Sequence, residues 1–215
     1  DPYVGGQTLT YIVDYVRDDN SQINPVAKVC GSDHDSGVDR ILEGGRASSR
    51  DFTEGEETNM LRYDVAVACT GEFADLHGNT VEGCLSGMNS LLNRISQLYE
   101  TEFSITFQMI SQSESVIFLD KDTDPYSDGT VGGTCLQENG SVIRNRISPS
   151  LYDIGHVITG RCSDVGGVAH ASIICTPDKE AGVTCQYSSD INSIAIEVMA
   201  HEMGHQFSAG HTWNR

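Results

Sequence analysis

The sequence predicts an α/β (α+β) fold in which a mixed, twisted sheet packs against helices. Residues 61–69 alternate between large apolar side chains and other residues, and this period of two is typical of a strand. Apolar residues recur at three- and four-residue intervals between positions 85 and 99, which indicates one face of a helix. A further apolar helical pattern directly precedes a group of histidines near position 200. Strands and helices that alternate along one chain favour helices packed on a sheet.

The first sixty residues differ in composition from the remainder. The β-forming residues 8–16 predict a strand, which we interpret as the last piece of a preceding domain. Residues 31–60 are polar and charged with few large apolar side chains, which is typical of an exposed linker. We therefore divide the chain into a segment 1–50 and a main domain 51–215.

The main domain alternates predicted strands and helices. Asn79 is the expected N-cap of the first long helix, with Glu82 at the third position. The apolar face of this helix consists of Leu85, Met88, Leu92, Ile95 and Tyr99. We further expect a turn-rich loop at 70–80, strands at 61–69, 105–109, 116–119, 153–159 and 166–175, a helix at about 133–147 and a last helix capped by Asp190.

An acidic run follows the strand predicted at 116–119. It contains Asp120, Asp122, Asp124 and Asp128. Alternate aspartates can hold calcium (Ca), but Pro125 stands where an EF-hand loop requires glycine. This departure favours a solvated acidic turn over a calcium site.

Charge and cysteine content restrict the partners and the compartment. The 215 residues include 13 basic and 31 acidic side chains, which give a net charge of −18. This charge disfavours nucleic acid and anionic membrane surfaces as partners, and no apolar run is long enough to predict a membrane span. The seven cysteines are dispersed without a Cys-x-x-Cys pair. They favour disulfides in an oxidising compartment, and therefore a secreted protein.

The residues with the clearest chemistry lie near the end of the sequence. His201 and His205 are four residues apart, so on a helix both imidazoles lie on one face. Two neutral imidazoles at this spacing can occupy two corners of a zinc tetrahedron. Glu202 stands between them, where a general base can act on a water molecule. His211 is the candidate third ligand.

His211 can reach the other two histidines only if the helix ends before it. In a continuous helix His211 would lie roughly 15 Å along the axis from His201, far beyond a metal–ligand bond of about 2 Å. We therefore expect the helix to end near Phe207 and the chain to turn back within residues 208–210. An ordinary amphipathic helix with solvated histidines is the alternative.

The spacing of these four residues resembles the pattern of the metzincin zinc endopeptidases, His-Glu-x-x-His-x-x-Gly-x-x-His. The sequence differs at Ser208, where the family has glycine, and we expect Gly210 to take over part of the bend. Residues 63–214 are similar to reprolysins, including bacterial secreted ones, notably at 70–73 and 152–157. The resemblance implies that 51–215 is the N-terminal (upper) subdomain of a metzincin catalytic domain. It also implies that the sequence stops before the lower subdomain and its methionine turn.

The same resemblance assigns roles to two other segments. Residues 27–32 are similar to the cysteine switch of reprolysin propeptides, which implies that segment 1–50 is the end of a propeptide that inhibits its own enzyme. Cys30 would be the inhibitory zinc ligand, and a structural disulfide is the alternative. An edge strand on which a polypeptide substrate adds as a further strand is implied for Gly167, Val168, Ala169, His170 and Ala171.

The sequence therefore predicts a secreted zinc endopeptidase zymogen. His201, His205 and His211 would bind zinc (Zn), and Glu202 would act as the general base. Two alternatives stay open at this point. One is a catalytically silent, metzincin-like binding domain, and the other is a zinc hydrolase that acts on a substrate other than a peptide.

Overall fold

The structure, a computed structural model, describes residues 60–186, 188–189 and 193–211. The strand predicted at 8–16, the linker, Cys30 and the helix cap at Asp190 lie outside the described residues. The elements, in chain order, are β1 (Leu61–Cys69), α1 (Gly71–Leu76), α2 (Val81–Phe103), β2 (Ile105–Met109), α3 (Gly132–Arg144), β3 (Ile154–Thr159), β4 (Gly167–Ala169), β5 (Gly182–Cys185) and α4 (Ser193–Gln206). Crossing a membrane takes a longer apolar stretch than any of these helices offers.

The five strands form one sheet in the order β2-β1-β3-β5-β4. β1 is parallel to both β2 and β3, and β5 is parallel to β3. β4 is antiparallel to β5, with Val168 opposite Val183. The mixed sheet predicted from the sequence is therefore confirmed, and β4 forms one of its edges.

β1 explains why helices cover both faces of this sheet. Tyr63, Val65 and Val67 pack into one core together with residues of α2 and α4. Ala66 and Ala68 point to the opposite face and pack into a second core with residues of α3. All five side chains are 5% exposed or less. Burying a valine side chain to this extent contributes roughly 1.5–3 kcal/mol, so both faces stabilise the fold.

Helix α2 confirms the predicted apolar face but begins at a different cap. Of the predicted face, only Leu85 is partly exposed, and the other members are buried. The N-cap is Thr80, whose hydroxyl accepts a hydrogen bond of 3.0 Å from the N–H of Gly83. Asn79 has a left-handed backbone with φ of 51°, and its amide donates to Asp75 instead. The prediction of Asn79 as the cap was wrong because Asn79 forms the turn before the helix.

Three predicted segments differ in the structure. The loop expected at 70–80 contains the short helix α1. The strand expected at 116–119 is absent, because a 3₁₀ helix occupies Ser111–Val116 and Ile117 forms only an isolated bridge with Cys69. The strand expected at 166–175 ends at Ala169. Ser172 and Cys175 have φ of 62° and 61°, which an extended strand does not accommodate.

Candidate metal centre

Helix α4 is held in place by its apolar face. Four of its side chains are buried in the core that also contains α2, namely Ala195, Met199, Ala200 and Met203. His201 and His205 lie outside this buried row and are only partly covered. Since residues four apart share one face of a helix, the packing of the apolar row directs both imidazoles to the same side.

The structure brings the three predicted histidines together. The Nε2 atoms of His201, His205 and His211 are 3.0 Å from one another in every pair. Ligand atoms at the corners of a tetrahedron around zinc are about 3.3 Å apart, because zinc–nitrogen bonds are about 2.0 Å long. Within the part of the chain that the structure describes, these histidines are the one group of three or more potential ligands that converges in this way.

The surroundings of His201 and His211 favour the neutral form of imidazole, which binds a metal. Burial, together with the smaller effects of the neighbouring His205 and His211, lowers the pKa of His201 to about 4. Burial and His205 also lower the pKa of His211. Neutral imidazole, and not imidazolium, carries the lone pair that a metal ion requires. The donor set therefore fits a zinc ion with a remaining open position.

A backbone carbonyl orients one of the three rings. Nδ1 of His205 lies 2.6 Å from the carbonyl oxygen of Ala209. A carbonyl oxygen only accepts hydrogen bonds, so Nδ1 carries the proton and Nε2 keeps its lone pair for a metal. An outer hydrogen bond of this kind fixes both the tautomer and the direction of a metal-binding histidine.

The bend that delivers His211 is a helix C-cap built on Ser208. The N–H of Ala209 donates to the carbonyl of Gly204 at 2.9 Å, and the N–H of Ser208 donates to that of His205 at 2.8 Å. These two bonds define a Schellman motif, in which the residue at the Ser208 position is left-handed and usually glycine. Ser208 has φ of 83°. The bend occurs within 208–210 as predicted.

Gly210 does not take over this bend. Among the described residues, Gly78 is the one glycine with a positive φ. A side chain on Gly210 would meet no atom within 4 Å. The expectation that Gly210 takes over part of the bend was therefore wrong, because the left-handed step falls at Ser208 itself.

Glu202 is buried on the same helix as His201 and His205. Its side chain is 6% exposed, and burial raises the pKa of its carboxyl group to about 8. It also touches the edge of the sheet, since a Cβ atom on Gly167 would lie 2.9 Å from Oε1 of Glu202. The side chain of Glu202 therefore packs against β4.

The edge strand is shorter than the sequence predicted. Gly167, Val168 and Ala169 form β4. His170 continues the pairing by one hydrogen bond, from its N–H to the carbonyl of Ala181 at 3.0 Å. Because hydrogen-bonding direction alternates along an antiparallel strand, Gly167 and Ala169 direct their N–H and C=O groups away from β5.

The last two residues assigned to the edge strand lie beyond it. His170 and Ala171 follow β4 and are both exposed. Their assignment to the strand was wrong because the chain turns at Ser172, where φ is 62°.

Two contacts that hold α4 were not identified from the sequence. The hydroxyl of Tyr99 in α2 donates to the carbonyl of Ala200 at 2.9 Å. His156 in β3 is fully buried, and its Nδ1 lies 3.0 Å from Oε1 of Gln206. The periodicity placed Tyr99 on a buried face, but no local pattern indicates a partner a hundred positions away. His156 stays apart from the histidine group, and burial lowers its pKa to about 4.

Three of the four aspartates accept hydrogen bonds from other residues of the protein. Asp124 accepts hydrogen bonds from the N–H groups of Gly71 and Tyr126 at 2.8 and 2.9 Å. Asp120 and Asp128 accept from residues two or three positions further on. Within 60–186, 188–189 and 193–211, these carboxylates do not converge on one point as metal ligands would. The contacts favour the acidic turn, and nothing in them supports calcium.

A helix with two histidines one turn apart, a buried glutamate and a third histidine after a bend defines the metal site of a metallopeptidase. The sequence pattern of the Metallo-peptidase family M12B Reprolysin-like matches residues 85–212, which is more than half of the chain. The chain belongs to this family. A search of curated proteins found no match.

Proposed function

We propose that this protein is a zinc-dependent endopeptidase. The single observation that carries the proposal is the convergence of the Nε2 atoms of His201, His205 and His211, at the end of the helix that also carries the buried Glu202. Membership of the M12B family gives the class of reaction, the hydrolysis of peptide bonds.

The three histidines would hold the metal, and Glu202 would move the protons. Bound zinc would supply the Lewis acid that polarises the scissile carbonyl and acidifies the attacking water. Glu202 takes a proton from that water on a carboxylate oxygen. It then passes the proton to the amine nitrogen as the C–N bond breaks. The products are one new carboxylate and one new amine.

The protonation state of Glu202 depends on the metal. Burial raises the pKa of its carboxyl group to about 8, which keeps the group protonated near neutral pH in the metal-free protein. A nearby cation favours the charged form of a carboxyl group and so lowers its pKa. Glu202 therefore becomes a base when the metal site is filled.

The geometry of β4 supports a polypeptide as the substrate. Gly167 and Ala169 offer backbone groups on the free side of the strand, and Gly167 lies directly beside Glu202. A peptide that adds to this edge is recognised through its backbone, so its scissile bond can be held beside the base. The substrate strand is Gly167–Ala169, continued by His170 and Ala171 in irregular backbone.

Latency and secretion are further parts of the proposal. Cys30 would inhibit the zymogen as a zinc ligand, a role supported by the similarity of residues 27–32 to a cysteine switch. Secretion is supported by the disulfide between Cys162 and Cys185, since disulfides persist in oxidising compartments. If Cys30 has this role, Cys30→Ala makes the unprocessed precursor active, whereas unchanged latency would identify Cys30 as structural.

A protein-cleavage assay tests the proposed reaction. The purified full chain carrying Cys30→Ala, which lacks the proposed inhibitory ligand, is incubated with an unfolded protein substrate, with a chelator, and with the chelator followed by zinc. We expect cleavage that the chelator abolishes and zinc restores. Glu202→Gln should bind zinc like the wild type but cleave roughly 10²–10⁴ times more slowly, because it lacks the general base.

Each outcome separates this proposal from its alternatives. Zinc binding without cleavage of any protein substrate would indicate a catalytically silent domain. Chelator-sensitive hydrolysis of small esters without cleavage of peptides would indicate a different zinc hydrolase. Cleavage that survives Glu202→Gln would exclude the assigned mechanism.

A further inference from the structure

The loop that follows β4 is attached to the end of the metal-binding helix. The N–H of Ser172 donates to the carbonyl of His205 at 3.1 Å. The N–H of Ile173 donates to the carbonyl of Gln206, also at 3.1 Å. The last carbonyls of a helix lack the usual helical partners. This loop donates to that of Gln206 and adds a second donor to that of His205, which also accepts from the N–H of Ser208.

Two serines meet where this loop touches the bend. The hydroxyl oxygens of Ser172 and Ser208 are 2.6 Å apart. Both residues have left-handed backbones, with φ of 62° at Ser172 and 83° at Ser208. A residue with a Cβ atom adopts this conformation reluctantly, and it persists where surrounding contacts hold it.

Ser208 needs a stabilising contact more than glycine, the usual residue at this position, would need one. The left-handed position of a Schellman motif is commonly glycine, which adopts positive φ without a steric penalty. Serine carries the penalty but also brings a hydroxyl group. In this protein that hydroxyl reaches across 36 positions of sequence to Ser172.

We propose that Ser172 is a positioning residue for the third metal ligand and acts through Ser208. The hydrogen bond between the two hydroxyls holds Ser208 in the left-handed conformation. That conformation turns the chain after α4, so that Ala209 meets Nδ1 of His205 and His211 meets both other histidines. The inference rests on the proposed function, since it concerns the metal site that this function requires.

The proposal also links the substrate strand to the metal site. Ser172 follows the last residue of β4, Ala169, by three positions. Its backbone and its hydroxyl both contact the segment 205–208 that ends the metal-binding helix. A shift of the edge strand is therefore transmitted to the bend that carries His211.

A double-mutant cycle on zinc affinity tests the proposal. The variants are Ser172→Ala, Ser208→Gly and the two combined, each in the full chain. Zinc dissociation constants are measured by competition with a chromogenic chelator. Hydrogen exchange of the Ala209 N–H in the metal-free protein reports the bend independently of metal and activity. Ser150→Ala is the matched control, because Ser150 is also exposed and pairs with another serine hydroxyl, that of Ser148, at 3.0 Å.

The proposal predicts that the effect of Ser172→Ala depends on Ser208. In the wild-type background, Ser172→Ala should weaken zinc binding roughly three- to tenfold, the range for the loss of one hydrogen bond, and should speed exchange at Ala209. In the Ser208→Gly background the same substitution should change neither quantity, because glycine needs no hydroxyl partner. Ser150→Ala should change neither quantity in either background.

The outcomes distinguish this inference from the proposed function. If the wild type binds zinc but Ser172→Ala has equal effects in both backgrounds, or none, Ser172 does not act through Ser208 and the inference is wrong. The proposed function would stand in that case. A wild type that binds no zinc would overturn the proposed function and this inference with it.

Discussion

Gly167 of the edge strand lies against Glu202 of helix α4. A Cβ atom at Gly167 would lie 2.7 Å from Cγ of Glu202 and 2.7 Å from Cγ1 of Val198. Real Cβ atoms essentially never approach other heavy atoms this closely. Only the hydrogen atom of a glycine therefore fits at position 167. The strand that would receive a substrate is packed directly against the residue that would act as the base.

Replacing Gly167 by alanine should impair catalysis more than metal binding. The added methyl group must displace the side chain of Glu202 or the edge strand. A displacement of about 1 Å at a reacting group can reduce the rate about 10²-fold. We expect kcat of Gly167→Ala to fall by about this factor, while zinc affinity stays at the wild-type level because no histidine is touched.

The neighbouring glycine provides the control for this substitution. A Cβ atom on Gly166 would find its nearest neighbour, Cγ2 of Val198, at 3.8 Å, an ordinary contact distance. Gly166→Ala should therefore retain most of the activity. Equal losses of activity in both variants would show that a side chain at either position impairs the protein for a reason other than contact with Glu202.

His156 should make the stability of the fold depend on pH. It is fully buried between Gln206 and Thr184, and burial lowers its pKa to about 4 from 6.5. The folded protein therefore binds fewer protons than the unfolded chain between these values, and its stability rises with pH there. From His156 we expect a gain of about 3 kcal/mol between pH 4 and 6.5, and no further change above pH 6.5.

Urea unfolding of the metal-free full chain at several pH values measures this dependence. His156→Gln removes the titrating group, so its free energy of unfolding should rise less steeply between pH 4 and 6.5. His201, whose pKa is also lowered, contributes to the slope in both proteins. Parallel slopes in the two proteins would mean that His156 is already charged in the folded state.

The disulfide between Cys162 and Cys185 should stabilise the edge of the sheet. Its cysteines are 23 positions apart, and the loop between them contains β4. Closing a loop of this length restricts the unfolded chain and contributes about 3 kcal/mol in the chain-entropy model. Replacing both cysteines by alanine should lower the free energy of unfolding by this amount in urea titrations. A decrease in the free energy of unfolding below about 1 kcal/mol would show that the pairing of β4 with β5 stabilises this edge without the disulfide.

The sequence predicted the structure best where the pattern of buried residues lies within one strand or one helix. The alternation in β1 and the apolar face of α2 are visible because burial repeats along one strand or one helix. The convergence of His201, His205 and His211 could likewise be anticipated. The helix fixes the first two, and only a bend can bring the third within reach.

The remaining features depend on residues distant in sequence. β5 has four residues, all buried, and it is a strand because β3 and β4 pair with it. Such a short segment carries no period of its own. The left-handed conformation of Ser208 and the role of Ser172 depend on a contact across 36 positions. No pattern within either segment indicates that contact.

The most direct test of the account is the zinc content and coordination of the full chain and its histidine variants. We predict about one zinc ion per chain, with three nitrogen ligands at about 2.0–2.1 Å in X-ray absorption spectra. Loss of a residue that only hydrogen-bonds to a metal ligand weakens metal binding roughly 10–100-fold. We expect a larger loss of zinc affinity in each of the variants His201→Ala, His205→Ala and His211→Ala. Glu202→Gln should retain the ion. Wild-type zinc affinity in His211→Ala, or a wild type without zinc, would contradict the metal site on which the proposed function rests.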